Sequence, residues 1–325
     1  MTSLFSAPAL SRRGLLRAAP VAGLALAARS ARAGAAKVVR LGFQKGEPIL
    51  MLTKEHRTLE NLFNPLGVEV KWIEFQFGPP MLEAMRVGSI DLGAVGDTPP
   101  VFAQAAHGDL LYVAAARGAP QSVLLPPGSA IKTLADLKGK KVAFGRGSSA
   151  HHFALMVLEK AGLTYADITP IYLGPADAGA AFTQGAIDAW SIWEPYASLY
   201  NNKPGVQTLT TNRVIGEQFS FVMGNGAFVR DNPGLTKQAL AVLKATGVEA
   251  RGHHDEVAAL LANATGIAQD TWNRALTEHP FDIVPMDDAL TVSQQKVADR
   301  FRALGLVPID IKVSDIVWRA GAGGA

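Results

Sequence analysis

Two stretches of this chain repeat one another, and the repeat limits the fold more than any other feature. Gly88-Ser89-Ile90-Asp91 leads into an apolar run and then Asp97, nine positions after the glycine. Gly185-Ala186-Ile187-Asp188 leads into an apolar run and then Glu194, again nine positions after its glycine. Each unit follows a short amphipathic pattern and meets a proline within two residues of its acid. Upstream of each lies an apolar strand pattern ending in a glycine-bearing loop, Gly42-Phe43-Gln44-Lys45-Gly46 and Gly145-Arg146-Gly147-Ser148-Ser149. Two similar α/β units in one chain predict two lobes that face each other across a cleft.

The rest of the pattern agrees. Short apolar runs alternate with helical periodicity, as expected for helices layered on mostly parallel sheets. Strands are expected at residues 38–43, 68–75, 90–95, 110–115, 121–125, 141–144, 168–173, 187–193 and 219–229. Helices are expected at 51–63, 79–87, 99–106, 149–161, 176–184, 234–251, 255–263 and 287–304. Cysteine is absent, which excludes thiolate metal sites, cysteine nucleophiles and disulfides.

The amino terminus reads as an export signal. Arg12-Arg13 precede a weakly apolar stretch from Ala18 to Ala28, and Ala31-Arg32-Ala33 supplies the small residues of a cleavage site. The paired arginines resemble the twin-arginine type, so residues 1–33 are expected to be removed and the chain to be periplasmic. That segment holds five arginines and no acid, so the formal charge of +3 becomes 3 − 5 = −2. The basic balance therefore belongs to the leader and gives no reason to expect nucleic acid. The apolar stretch is shorter than the roughly 20 residues of a membrane-spanning helix, and the processed chain is expected to be soluble.

The candidate site residues lie where strands end. In Gly96-Asp97-Thr98-Pro99-Pro100, Thr98 can cap a helix and Pro99 suits its first turn, which leaves backbone N–H groups free at a sheet's carboxyl end. A helix start of this kind favours an anion. Ser148 and Ser149 repeat the device after a glycine turn, and Gln44 offers an amide after the first strand. Lys45 is either a source of positive charge or solvated. Asp177 reads as a helix-start residue. Trp193 can roof an apolar compartment, while Asp97 and Glu194 are expected to organise donors, because a carboxylate aimed at an anion repels it. Glu194 can also serve a cationic substituent.

The loose G-x-G-x-x-A run at Gly145, Gly147 and Ala150 lacks the acid that a ribose would require, so no dinucleotide cofactor is expected. Neighbouring His151 and His152 diverge by about 100° on a helix, and no metal-ligand spacing appears among the seven histidines. No G-x-S-x-G elbow surrounds Ser148. No metal, cofactor or catalytic residue is expected.

Taken together, Gly42-Phe43-Gln44-Lys45-Gly46, Gly96-Asp97-Thr98-Pro99-Pro100, Gly147-Ser148-Ser149-Ala150-His151, Pro175-Ala176-Asp177-Ala178 and Asp188-Ala189-Trp190-Ser191-Ile192-Trp193-Glu194-Pro195 resemble the periplasmic aliphatic sulfonate-binding proteins of ABC importers. The likeness runs from Lys37 to Trp318. It implies a type II periplasmic-binding fold of two α/β lobes joined by two hinge crossings, near residues 115–121 and 221–226. One lobe would then hold residues 37–118 plus 224–325, and the other 119–223.

Carried over, the resemblance implies ligand-binding positions at Gln44, Gly78, Asp97, Thr98, Ser148, Ser149, His151, Asp177, Trp193 and Glu194. It also implies a non-enzymatic monomer that passes an alkanesulfonate to a membrane permease driven by a separate ATPase. The chain departs from the family at Phe43, where tyrosine is usual, at Gly145-Arg146, where Gln-Lys is usual, and at Glu194, where aspartate is common. Relatives for taurine, nitrate and other small anions share the architecture. So do some pyrimidine-forming enzymes that use histidine, while a sensor domain is opposed by the leader and the lack of an attached signalling segment.

Overall fold

The computed structural model describes residues 36–319, and in it the repeat becomes two sheets of matching layout. The expected export signal, residues 1–33, lies outside the described residues. The chain opens with β1 (Val38–Phe43), α1 (Pro48–Glu55), α2 (Thr58–Phe63), β2 (Glu69–Glu74), α3 (Gly78–Arg86), β3 (Leu92–Gly96), α4 (Thr98–Ala105) and β4 (Leu110–Arg117). It crosses into β5 (Gln121–Leu125), β6 (Lys141–Phe144), α5 (Ser149–Lys160), β7 (Thr169–Tyr172), α6 (Pro175–Thr183), β8 (Ala189–Trp193), α7 (Tyr196–Asn201), β9 (Gln207–Thr211) and α8 (Asn212–Ile215). It returns as β10 (Phe219–Asn225), followed by α9 (Gly226–Asp231), α10 (Pro233–Ala250), α11 (His254–Thr265), α12 (Gln269–Leu276) and α13 (Asp288–Ala303).

The first sheet has the order β2-β1-β3-β10-β4 and the second β7-β6-β8-β5-β9. In both, the first three strands are parallel and the fourth is antiparallel to its neighbours. Strand for strand, β1 matches β6, β3 matches β8 and β10 matches β5. In each sheet the antiparallel strand is the one that enters directly after a crossing.

The repeated residues explain the match. Gly88 and Gly185 follow α3 and α6 with φ of 75° and 68°, a region that glycine enters without a Cβ clash. Three residues later the acids clamp the neighbouring strand. The Asp91 carboxylate accepts the Arg40 N–H at 2.7 Å, and the Asp91 N–H donates to the Arg40 carbonyl at 2.9 Å. Asp188 does the same with Lys141, at 2.7 and 2.9 Å. Each clamp fixes the register of a parallel pair, so the carboxyl ends of β1 and β3, and of β6 and β8, are set at defined heights.

Apolar side chains alternate across the first sheet as a two-residue period demands. Ala94 packs with Leu41, Leu243 and Trp272 on one face, while Val95 packs with Met81, Phe221 and Phe301 on the other. The second sheet buries its own cluster around Phe144, Phe153 and Trp190. Leu155 of α5 leaves that cluster and joins the first lobe's, so the lobes share a packed seam.

Some boundaries differ from the sequence expectation. The helix expected at residues 51–63 begins at Pro48, which suits a first turn, and breaks where Arg57 adopts φ of 54°. β9, α7, α8 and α12 are additional elements, and the strand expected at 219–229 ends at Asn225 and gives way to α9; α12 is recruited by burial of Trp272, Ala275 and Leu276 on one side. The outgoing crossing spans residues 118–120. The sequence puts the return crossing at residues 221–226, but β10 pairs with β3 and β4 along its length, so the chain returns over residues 216–218. Residues 219–223 belong to the first sheet. An apolar strand suits either sheet, and only its ladder partners decide. The two crossings touch: the Gly118 N–H donates to the Gln218 carbonyl at 2.7 Å.

Candidate functional site

A cavity of about 30 Å³ lies between the two sheets' carboxyl ends, lined by residues from both lobes. One water needs about 10–15 Å³ on this measure, so the space suits one compact head group. Four helix starts reach its wall: Glu47 ahead of α1, Gly78 of α3, Pro99 of α4, and Ser148 and Ser149 of α5. Among the described residues, the N–H groups of Gly78 and Ser149 have no hydrogen-bond partner, and neither does the Ser149 hydroxyl. Helix starts place partial positive charge there. No lysine, arginine or histidine lines this cavity among the described residues. The donors on the wall are therefore neutral groups and backbone dipoles, and Glu47 is the ionisable side chain among the described lining residues.

Gln44, Gly78, Ser148, Ser149 and Trp193 stand on that wall. Gln44 donates one amide hydrogen to the Ala94 carbonyl at 2.8 Å, which fixes its orientation and leaves the second hydrogen free. Ser148 spends its hydroxyl hydrogen on the Gly145 carbonyl at 2.7 Å, so it shapes the glycine turn while Ser149 keeps the available hydroxyl. Trp193 closes the far side against Gly46: a Cβ there would lie 3.1 Å from the indole Nε1 and 3.0 Å from the Glu194 carbonyl.

The other expected site residues lie off the wall. Asp97 is buried at the head of α4, where its Oδ2 accepts the His152 Nδ1–H at 2.6 Å and the Gln218 amide at 3.1 Å. Thr98 donates its hydroxyl to Asp97 Oδ1 at 2.9 Å. Arg300 of α13 can only donate, so its contact with His152 Nε2 at 2.6 Å puts the imidazole hydrogen on Nδ1, facing Asp97. Arg300 also holds Glu159 through two bonds of 2.9 Å. Asp97 and Arg300 belong to the first lobe, His152 and Glu159 to the second, so this chain of contacts spans the seam.

His151 is the clearest departure from the expected set. It stacks on Phe144 at 4.6 Å, takes the Gly147 N–H on Nδ1 at 3.2 Å, and has its Nε2 buried without a partner. Burial, then the electrostatic influence of neighbouring His152 and Arg146, pushes its pKa down to about 3. It faces the core and offers the cavity no donor. Glu194 spends its Oε2 on the Ser198 N–H at 2.9 Å, and burial raises its pKa; it holds the turn into α7. Asp177 is exposed in the first turn of α6.

The cavity also includes residues the sequence reading did not single out. Gln121, Phe219 and Ser220 flank the crossings, and their role depends on how the lobes meet, which no local pattern records. Gln121 ties into the seam by donating to Gln218 Oε1 at 2.9 Å. Glu47 stands immediately after the glycine loop that was singled out, and burial pushes its carboxyl up to about 7.

The comparisons with known proteins agree with this geometry. Residues 38–262 match the NMT1-like family. A relative from Escherichia coli (strain K12), named as an aliphatic sulfonates-binding protein, is 39% identical over 286 residues, covering 87% of this chain and 89% of its own. The alkanesulfonate-binding protein SsuA from Xanthomonas axonopodis pv. citri, solved bound to MOPS, is similar in structure with a TM-score of 0.82 at 38% identity, over 87% of this chain and 98% of that one. The periplasmic aliphatic sulphonate binding protein SsuA from Escherichia coli gives a TM-score of 0.78 at 39% identity, over 87% and 92%.

Proposed function

Because the chain belongs to the NMT1-like family and, within it, to the aliphatic sulfonate-binding proteins, we propose that it captures an alkanesulfonate between its lobes and delivers it to an ABC permease. The observation that carries this reading is the small cavity whose free donors are neutral groups at opposed helix starts, Gly78 from one lobe and Ser149 from the other. A sulfonate is ionised throughout the physiological range and has only acceptor oxygens, so a wall of donors satisfies it without any proton transfer. Each charge-assisted hydrogen bond contributes about 1.5–3 kcal/mol. Three or four suffice for micromolar affinity, which needs about 8 kcal/mol.

In this reading the first lobe binds the head group at Gly78 and Gln44. Rotation about the paired crossings then brings up Ser149 and Trp193. The closed pair of lobes presents one surface to the permease, whose separate ATPase subunit supplies the work. We place the protein in the periplasm as a monomer, exported by the twin-arginine-like segment at residues 1–33. No helix of the described residues is long and apolar enough to cross a membrane. MOPS, held by the Xanthomonas relative, carries a sulfonate at one end and an amine at the other, and is a ligand to test here.

Calorimetry in a buffer free of sulfonates, with short alkanesulfonates, taurine, nitrate, sulfate and phosphate, tests the assignment. The sulfonates, taurine among them, are expected to bind more tightly than nitrate, sulfate or phosphate. Ser149→Ala is expected to weaken all of them by about 10- to 100-fold, the equivalent of one charge-assisted hydrogen bond. A protein that ignores every sulfonate, or a Ser149→Ala variant with unchanged affinity, removes this reading.

A further inference from the structure

Behind the first cavity lies a second of about 30 Å³ with a mostly apolar wall, including Ile49, Leu50, Phe221 and Leu243. Glu47, Ala119 and Ser220 line both. Glu47 therefore stands at the junction between the space for a head group and an apolar chamber. Its carboxylate makes no cap hydrogen bond to α1, and among the described residues it has no hydrogen-bond or ion-pair partner. The other ionisable groups on these two walls do not serve it. Arg117 is paired with Asp282 at 3.6 Å, and burial pushes the His279 pKa down to about 4, so that ring is uncharged near neutrality. An unpaired carboxylate beside an anion site is unfavourable for a plain anion. It becomes favourable when the ligand brings its own cation.

We propose that Glu47 is the seat for a cationic substituent, so that the preferred ligand is a zwitterionic aminoalkanesulfonate, its sulfonate on the helix starts and its ammonium on Glu47. This rests on the sulfonate reading above and specifies the substrate class within it. Glu194, the acid that sequence analysis pairs with a cationic substituent, is committed to the Ser198 N–H, and Glu47 is the carboxylate left to do it. The raised pKa of Glu47 is what burial without a counter-charge produces.

The test compares homotaurine with propanesulfonate, which differ by the amine alone, at about pH 8, where a primary ammonium is still charged. The intact protein is expected to bind homotaurine at least about tenfold more tightly. Glu47→Gln is expected to lose about tenfold for homotaurine and to gain for propanesulfonate. A second measurement needs no variant: calorimetry in non-sulfonate buffers of differing ionisation enthalpy. Propanesulfonate is expected to bind with uptake of a proton by Glu47, and homotaurine with none. Equal changes for the two ligands in Glu47→Gln, or equal proton uptake by both, overturn the proposal while leaving sulfonate binding in place. Failure of the intact protein to bind either ligand removes the sulfonate reading itself, and this proposal with it.

Discussion

Gly96→Val is expected to weaken sulfonate binding by about 100-fold while leaving the unfolding midpoint of the ligand-free protein nearly unchanged. Gly96 ends β3 directly opposite the start of α5. A Cβ at this position would lie 2.6 Å from Ser149 Cβ and 2.8 Å from its Oγ, and the next nearest atom, at 3.6 Å, is also from Ser149. All three of these nearest atoms belong to the second lobe, so what opposes an added Cβ is the juxtaposition of the lobes. Neither colliding Cβ can swing aside, because both are fixed to backbone. Overpacking of this kind costs about 1–3 kcal/mol, and about 2.7 kcal/mol corresponds to 100-fold in affinity. Gly96→Ala should fall between the two. Calorimetry gives the affinities and thermal melting the control. An undiminished affinity in Gly96→Val would mean that ligand is held without the lobes meeting at this point.

The second large effect is on stability. Asp97→Ala is expected to lower the unfolding free energy by about 3–5 kcal/mol, because it removes the charged acceptor of three buried hydrogen bonds, each of which contributes about 1.5–3 kcal/mol at most. The loss would leave the His152 Nδ1–H and the Gln218 amide without their carboxylate at the centre of the seam, and Thr98 without its acceptor. Asp97→Asn keeps an acceptor oxygen and the side chain's shape, so it should cost clearly less. Urea unfolding of both variants checks this. Equal losses, or a loss below about 1 kcal/mol for alanine, would show that the Asp97–His152 contact does not hold the lobes together.

The architecture was legible where the same chemistry is written twice. A glycine and an acid at fixed spacing, in two places, announced two equivalent units; the glycines turn the chain and Asp91 and Asp188 clamp the strands. Gln44, Gly78, Ser148, Ser149 and Trp193 could be found because a strand's carboxyl end is a position in sequence as well as in space. What sequence does not carry is the direction of a side chain and the identity of a distant partner. His151 and His152 are neighbours on α5, yet one turns into the core and the other reaches Asp97. Helical periodicity separates them by 100° without saying which is which. Asp97 reads from sequence as an organiser of donors, but the groups that it holds, Gln218 and His152, are 121 and 55 residues away and are written in no local pattern. The return crossing was misplaced for a related reason: the apolar run at residues 219–225 is the right composition for the centre of either sheet.

The position of β10 has a consequence for biogenesis. The first lobe's fourth strand lies between β3 and β4 but is encoded about a hundred residues after them. The second lobe, by contrast, is one uninterrupted stretch inserted between β4 and β10. During synthesis from the amino terminus, the inserted lobe can complete its sheet first, while β3 and β4 wait for the strand that joins them. Late, long-range pairing of this sort is intrinsically slow. The nascent chain is therefore most exposed to aggregation in the interval before β10 emerges, through β3 and β4 and not through the lobe that comes after them.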